Sequence, residues 1–233
     1  MEKYQLSTKK KSKLMASIAK ARTVPAPENS LGQWIGYFID EGTSAILEEF
    51  CPLISTPKQN IDFKPKEGDR DIKLLNTLGQ SKQIDHVITI NSQIEIIVES
   101  KWLKDKRHLN DKGAWILMMN DILSHNTYLK GIIVILAGPW EGMRPAIEKR
   151  AKTIIIPEDF VYEVLSKYGI SIEIDPIRNA YKNAGGMLNT LLDIIENEAK
   201  TGYDLVKEIG YQIISNKKDL IKKGDYKSSC TRL

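Results

Sequence analysis

Gln83-Ile-Asp-His-Val-Ile-Thr-Ile-Asn-Ser-Gln-Ile-Glu-Ile-Ile-Val-Glu-Ser-Lys101 is the stretch whose reading decides the fold. Two Ile/Val-rich runs flank a short polar break, Asn91-Ser92-Gln93. β-branched residues favour strands and the polar break supplies a turn, so the stretch reads as an antiparallel hairpin. A three-residue loop at 91–93 pairs Ile90 with Ile94, and the same register sets Asp85 opposite Glu99. Directly opposed residues share a face, with Cβ atoms roughly 5 Å apart. A two-residue loop shifts the register by one and sends the two acids to opposite faces, unless a bulge compensates. Alternation puts Glu95, Ile97, Glu99 and Lys101 on one face of the second strand.

Two opposed carboxylates repel and bring the fold no local benefit. They make sense with a cation between them. Mg²⁺ suits such a place, because it takes few carboxylates and fills its shell with water and phosphate oxygens. Asp85 and Glu99 are the expected metal ligands, with the backbone carbonyl of Ser100 as a third. Lys101 lies one alternate position further on, beside the attacking water or the scissile phosphate. Metal-assisted hydrolysis of a phosphodiester is the expected chemistry, with Lys101 orienting or deprotonating the water or neutralising developing charge. The competing reading is a surface ion-pair ladder. Against it, Ile94-Glu-Ile-Ile-Val-Glu99 is too apolar for a fully exposed strand.

Asp85, the spacer and Glu99-Ser100-Lys101 resemble the motif of the PD-(D/E)xK nuclease superfamily, which includes many type II restriction endonucleases. The resemblance covers roughly residues 30–175. The residue before Asp85 is Ile84 where the pattern has Pro. The resemblance implies an α/β fold with a restriction-endonuclease-like core, a mixed central sheet flanked by helices, Mg²⁺ dependence and cleavage of double-stranded DNA. It further implies an acid from the preceding helix at the metal site. Glu41 and Glu48 are the candidates, Glu48 the favoured one.

The chain has 233 residues, 42% apolar and 27% charged, enough for a substantial core. Three parts are expected: a basic N-terminal arm and linker (1–28), a nuclease core (29–175) and a helical C-terminal region (176–233) that packs on the core or forms a dimer contact. No apolar run is long enough for a membrane span, and the start has no secretory h-region, so a cytoplasmic protein is expected. Cys51 and Cys230 suit free thiols, and His86, His108 and His125 lack zinc-ligand spacing. No internal repeat, phosphate loop or dinucleotide glycine motif is present.

Net charge is +4, but residues 1–22 hold seven Lys/Arg and one acid, so the remainder is at −2. A basic arm on a nearly neutral body suits phosphate contact. Ser12–Ala21 reads as a short basic helix, Thr23–Ser30 as a linker, and a second helix runs from about Asn29 to Cys51-Pro52. In that helix Gly36 and Gly42 either weaken it or allow close packing. Residues 56–82 read as a long loop with one short strand, in which Asp69, Arg70 and Asp71 form a loop ion pair or part of a DNA-facing surface. Lys82 precedes the hairpin and reaches toward phosphate. After the hairpin, Lys104, Lys106, Arg107, His108 and Asn110 form the preferred DNA-facing segment, since Lys and Arg bind phosphates while Arg and Asn read base edges. A helix over 112–129 carries Ala114, Trp115, Met118, Met119, Ile122 and Leu123 as a core stripe. Ile132–Ala137 reads as a central strand, with Arg144 in a second DNA-contacting loop, Thr153–Ile156 as an inner strand and Ile170–Ile174 as an edge strand. Two further helices follow, and Lys217, Lys218, Lys222 and Lys223 give a second basic end.

The expected function is sequence-specific cleavage of double-stranded DNA by a homodimer, whose two-fold symmetry matches a palindromic site. A cognate DNA methyltransferase is an expected partner. The alternatives are a structure-specific or repair nuclease of the junction-resolvase kind and a non-catalytic nucleic-acid-binding protein.

Overall fold

The computed structural model describes residues 8–65, 72–175, 180–197 and 202–215. In chain order the helices are α1 Thr8–Thr23, α2 Pro27–Ile54, α3 Leu109–His125, α4 Arg144–Glu148, α5 Glu158–Lys167, α6 Ala184–Asn197 and α7 Gly202–Ser215. The strands are β1 Ile61–Pro65, β2 Ile72–Leu75, β3 Ser81–Ile84, β4 His86–Ile90, β5 Gln93–Trp102, β6 Gly131–Ala137, β7 Lys152–Ile156, β8 Ile174–Asp175 and β9 Ala180–Tyr181. Lys3, Asp69, Arg70, Asp71, Lys217, Lys218, Lys222, Lys223, Cys230 and the side chains of Lys9, Lys10, Lys11 and Lys13 lie outside the described residues.

Five strands form a mixed sheet in the order β1-β4-β5-β6-β7. β1, β4 and β5 run antiparallel to their neighbours, while β5, β6 and β7 run parallel. Parallel strands need covered faces, and β6 is apolar on both. Its Ile133 and Ile135 pack toward α2, together with Ile88, Ile96, Val98 and Ile154. Its Ile132, Val134 and Leu136 pack the other way, with Val87, Ile97 and the α3 residues Ile116, Met119 and Ile122. The result is a mixed α/β architecture with a helical layer on each face.

α2 opens with Pro27 in its first turn and Glu28 beside the helix N-terminus, both favourable there. It does not stop at Cys51-Pro52 but runs on to Ile54. A proline costs a helix one hydrogen bond and some crowding, and in the last turn little helix remains to lose. The basic segment is helical from Thr8 and is not a detached arm. Its Leu14, Ile18 and Ala21 recur at helical spacing and are buried in the α2-side core. Arg22 pairs with Asp193 at 2.7 Å and with Glu196, tying α1 to α6. α6 and α7 both pack on α2.

Two expectations fail in the connecting segments. Residues 56–82 contain three strands, not one. Ile61 and Phe63 face inward in β1 and pair with Ile90 and Ile88, while β2 and β3 form a separate hairpin. The prolines and glycines that suggested a loop fall between these strands or at their ends. Ile170–Ile174 does not join the main sheet. Only Ile174 and Asp175 are extended, in a small ladder with β9, and Ile170 closes the end of α5 through its N–H to Leu165.

The α2–α7 crossing is a backbone contact. A Cβ on Gly42 would sit 2.2 Å from the carbonyl oxygen of Gly210, whereas one on Gly36 would meet only Trp102 Cβ at 3.7 Å. Gly42→Ala therefore forces the helices apart and should cost about 2 kcal/mol. Gly36→Ala should gain up to about 1 kcal/mol from helix propensity. Urea melts of the two variants check the opposite signs, and equal effects would show the crossing to be looser than described.

Candidate active site

The β4–β5 turn has two central residues. Asn91 and Ser92 have φ of 50° and 69°, the left-handed pair that suits a tight hairpin. Ile90 therefore pairs with Gln93 and Thr89 with Ile94, which alone would separate the acids. One residue later the register shifts. Ile88 pairs with Ile96, Val87 with Ile97 and His86 with Val98. Glu95 is the extra residue, a β-bulge. Lys130 holds it twice, through its backbone N–H to the Glu95 carbonyl at 2.6 Å and its ammonium to the carboxylate at 2.6 Å. The bulge restores the register that continues to Asp85 opposite Glu99.

Asp85, in the bend between β3 and β4, and Glu99 and Lys101 on β5 share the α3 side of the sheet. The Lys101 ammonium lies 2.6 Å from Asp85 Oδ2 and 2.6 Å from Glu99 Oε1. The Asp85 N–H donates to Glu99 Oε2 at 3.3 Å, and the Ser100 N–H donates to Asp85 Oδ2 at 3.4 Å. The indole N–H of Trp115, from α3, donates to Glu99 Oε1 at 2.7 Å. Trp115 belonged to the expected core stripe. It is only half-buried, and its polar edge is what reaches the site.

Electrostatics split the two acids. Burial, with the nearby charge of Asp85, pushes Glu99 up to about 7 against the pull of Lys101 and Trp115. Burial also works upward on Asp85, but the charge and hydrogen bond of Lys101 outweigh it and hold the carboxyl below its ordinary range. Burial opposes the Lys101 charge too, yet its two carboxylates win and raise its pKa.

The opposite face of β5 is polar at the same level. Ser100 Oγ donates to Asp40 Oδ1 at 2.9 Å. His86 Nδ1 lies 3.8 Å from that oxygen, and its Nε2 lies 2.9 Å from Ser44 Oγ. Asp40 and Ser44 sit one turn apart on α2. The α2 acid that meets the site strand is therefore Asp40, which carried no sequence signal beyond its helix. Glu48 pairs instead with Lys207 of α7. Eight residues along a helix is about 12 Å of rise and about 80° of rotation, enough to turn Glu48 to another neighbour. Glu41 is buried.

The expected DNA-facing residues divide. Lys106, Arg107, His108 and Asn110 are exposed, the first three on a 3-10 turn capped by Asp105, whose carboxylate accepts from the Arg107 N–H at 2.8 Å. Arg107, itself exposed, also pairs with the buried carboxylate of Asp105, while Arg144 pairs with Glu148 at the surface, where such pairs are weak and readily exchanged. The start of α4 abuts that of α3, since a Cβ on Gly113 would meet Met143. Arg144 thus flanks the same surface. Lys104 points inward, 3.6 Å from Glu28 and 4.3 Å over the Tyr181 ring. Lys82 is half-buried on β3, opposite Leu74.

The donor set fits Mg²⁺. Two carboxylate oxygens already converge on a single cation, the Lys101 ammonium. Among the described residues no three His, Cys, Asp or Glu side chains form a closed cage. An open pair is what Mg²⁺ accepts when substrate phosphate completes its shell.

The split between the acids has opposite consequences for stability. A carboxyl raised in the fold destabilises it when ionised, and acidification from 7 toward its ordinary value relieves the cost. A carboxyl depressed in the fold contributes stability above its ordinary value that is lost as pH falls through the folded one. In mildly alkaline buffer without divalent metal, Glu99→Gln should therefore stabilise the protein by about 1–3 kcal/mol. Asp85→Asn should destabilise it by about 3 kcal/mol by breaking the pair with Lys101. Denaturant midpoints of both variants measure the signs, and a destabilised Glu99→Gln would contradict the assignment.

No known protein family, curated protein or solved structure matches the chain, so its function has to follow from the chemistry of these side chains.

Proposed function

We propose that this chain is a Mg²⁺-dependent endonuclease that cuts double-stranded DNA at a specific sequence, in the manner of a type II restriction enzyme with a restriction-endonuclease-like core. The observation that carries this reading is the convergence of Asp85 and Glu99 on one cation position, with Lys101 in contact with both, near the end of β5. An ordinary ion-pair ladder would not bury Glu99 to 1% exposure beside a second acid. The exposed Lys106, Arg107, His108, Asn110 and Arg144 supply phosphate and base contacts on the surface that follows the site strand.

Asp85 and Glu99 would hold the metal. Bound Mg²⁺ supplies Lewis-acid stabilisation of charge on the phosphoryl oxygens and acidifies water. Trp115 fixes one oxygen of Glu99, and the Ser100 N–H fixes one oxygen of Asp85. Lys101, in contact with both carboxylates, would donate to the phosphate or the attacking water and neutralise developing charge. A homodimer would present two such sites to a palindromic sequence, and a methyltransferase of the same specificity is the partner class that protects host DNA.

Incubation with plasmid DNA, with and without Mg²⁺, followed by end sequencing tests the proposal. The expected result is Mg²⁺-dependent, discrete ends sharing one recognition sequence. Glu99→Ala and Lys101→Ala should each lower the rate on the order of a thousandfold while retaining DNA binding. Cleavage confined to branched substrates would reassign the protein to resolution. Intact duplex under all these conditions would leave a binding protein.

A further inference from the structure

Lys112 lies on α3, one turn before Trp115, whose indole holds Glu99. Its ammonium donates to the carbonyl of Trp102, the residue after Lys101. Two lysines thus approach the end of β5 on the side that carries the acids. Three other half-buried lysines end on carboxylates: Lys101 on Asp85 and Glu99, Lys104 on Glu28, Lys207 on Glu48. Among the described residues the Lys112 ammonium meets no carboxylate. Capping one carbonyl uses one of its three N–H donors and none of its charge. Burial, together with the charge of Lys101, holds its pKa below that of an ordinary lysine. A cation kept there, next to another, is electrostatically incomplete until an anion joins it.

We infer that Lys112 is a phosphate-binding residue of the site, donating to a phosphodiester oxygen of the nucleic-acid strand that lies across Lys101. The inference rests on the endonuclease reading and names a contact that reading does not contain. The anion is a backbone phosphate, because the position adjoins the proposed reacting centre and offers an ammonium, a point-charge donor suited to phosphate oxygens. Lys112 therefore strengthens binding to all sequences alike.

The test is the salt dependence of binding to a short mixed-sequence duplex, with Ca²⁺ in place of Mg²⁺. Lys112→Gln should weaken binding about tenfold at low salt. It should also lower the slope of log affinity against log salt by about 0.9, the loss of one phosphate contact. Lys112→Arg should keep the slope. A lysine that only caps Trp102 would alter the thermal midpoint without moving the slope, and that result overturns the inference while leaving Mg²⁺-dependent cutting by the wild type intact. Amine-reactive labelling of the wild-type protein gives a second reading that needs no variant. Bound duplex should shield Lys112, and unchanged labelling at saturating DNA counts against the contact. A wild-type chain that neither binds nor cuts duplex removes the endonuclease reading and this inference together.

Discussion

The register of β4 on β5 governs everything at the site. Side chains alternate across a sheet, so an odd offset between Asp85 and Glu99 would place one acid under α2 and the other under α3. The tight Asn91-Ser92 turn creates that offset, and the bulge at Glu95 removes it. The bulge in turn depends on Lys130, which binds both the backbone and the carboxylate of Glu95 as the chain enters β6. A contact near the start of β6 thus sets which face carries the acids at the other end of β5. Bulges commonly re-aim side chains beside functional sites, and here one decides whether there is a site at all.

The same segment shows what a sequence can and cannot disclose. Its Ile/Val runs and polar break were enough for the hairpin, and the need to oppose Asp85 and Glu99 was enough to require either a longer loop or a bulge. Choosing between these took the positive φ of Ser92 and the reach of Lys130, which are properties of the folded chain. β6 was legible because a strand buried on both faces is apolar throughout. β1 was not, because Asp62 and Lys64 alternate with its two inward residues and Pro65 ends it. Leu14, Ile18 and Ala21 were overshadowed by the lysines around them, although their spacing already marked a buried face. At the site, strand-borne Asp85, Glu99 and Lys101 could be named because a strand has only two faces. Helix-borne Asp40, Lys112 and Trp115 could not, because where a helix residue points depends on how that helix is rotated and docked.

Lys101 also explains how the fold tolerates its own site. Two carboxylates in partial burial would each cost several kcal/mol if left without a counter-charge. An ammonium anchored on the same strand supplies that charge in a fixed place, so folding needs no external cation. The compensation is uneven, since Asp85 gains from it and Glu99 remains strained toward protonation. On the proposed reading, that strain is what would let a divalent cation take the ammonium's place. A site fully satisfied by its own lysine would have no reason to exchange it for another positive charge.

The arrangement on the α2 face invites a different chemistry, a serine, histidine and aspartate in hydrogen-bonding order. Its geometry argues against a nucleophile. Ser44 is 8% exposed and sits in the interior of a long helix, where backbone N–H groups are already bonded and none is offered to an oxyanion. Asp40 serves Ser100 as well as lying near His86, and the 3.8 Å to His86 Nδ1 is too long for an orienting hydrogen bond. What these groups do share is adjacency to the acids, since His86 follows Asp85 and Ser100 separates Glu99 from Lys101. One turn of α2 therefore grips both strands immediately beneath the charged side chains, through bonds whose directions apolar packing alone would leave free. The precision of the carboxylate pair on one face of the sheet is maintained by polar contacts on the other.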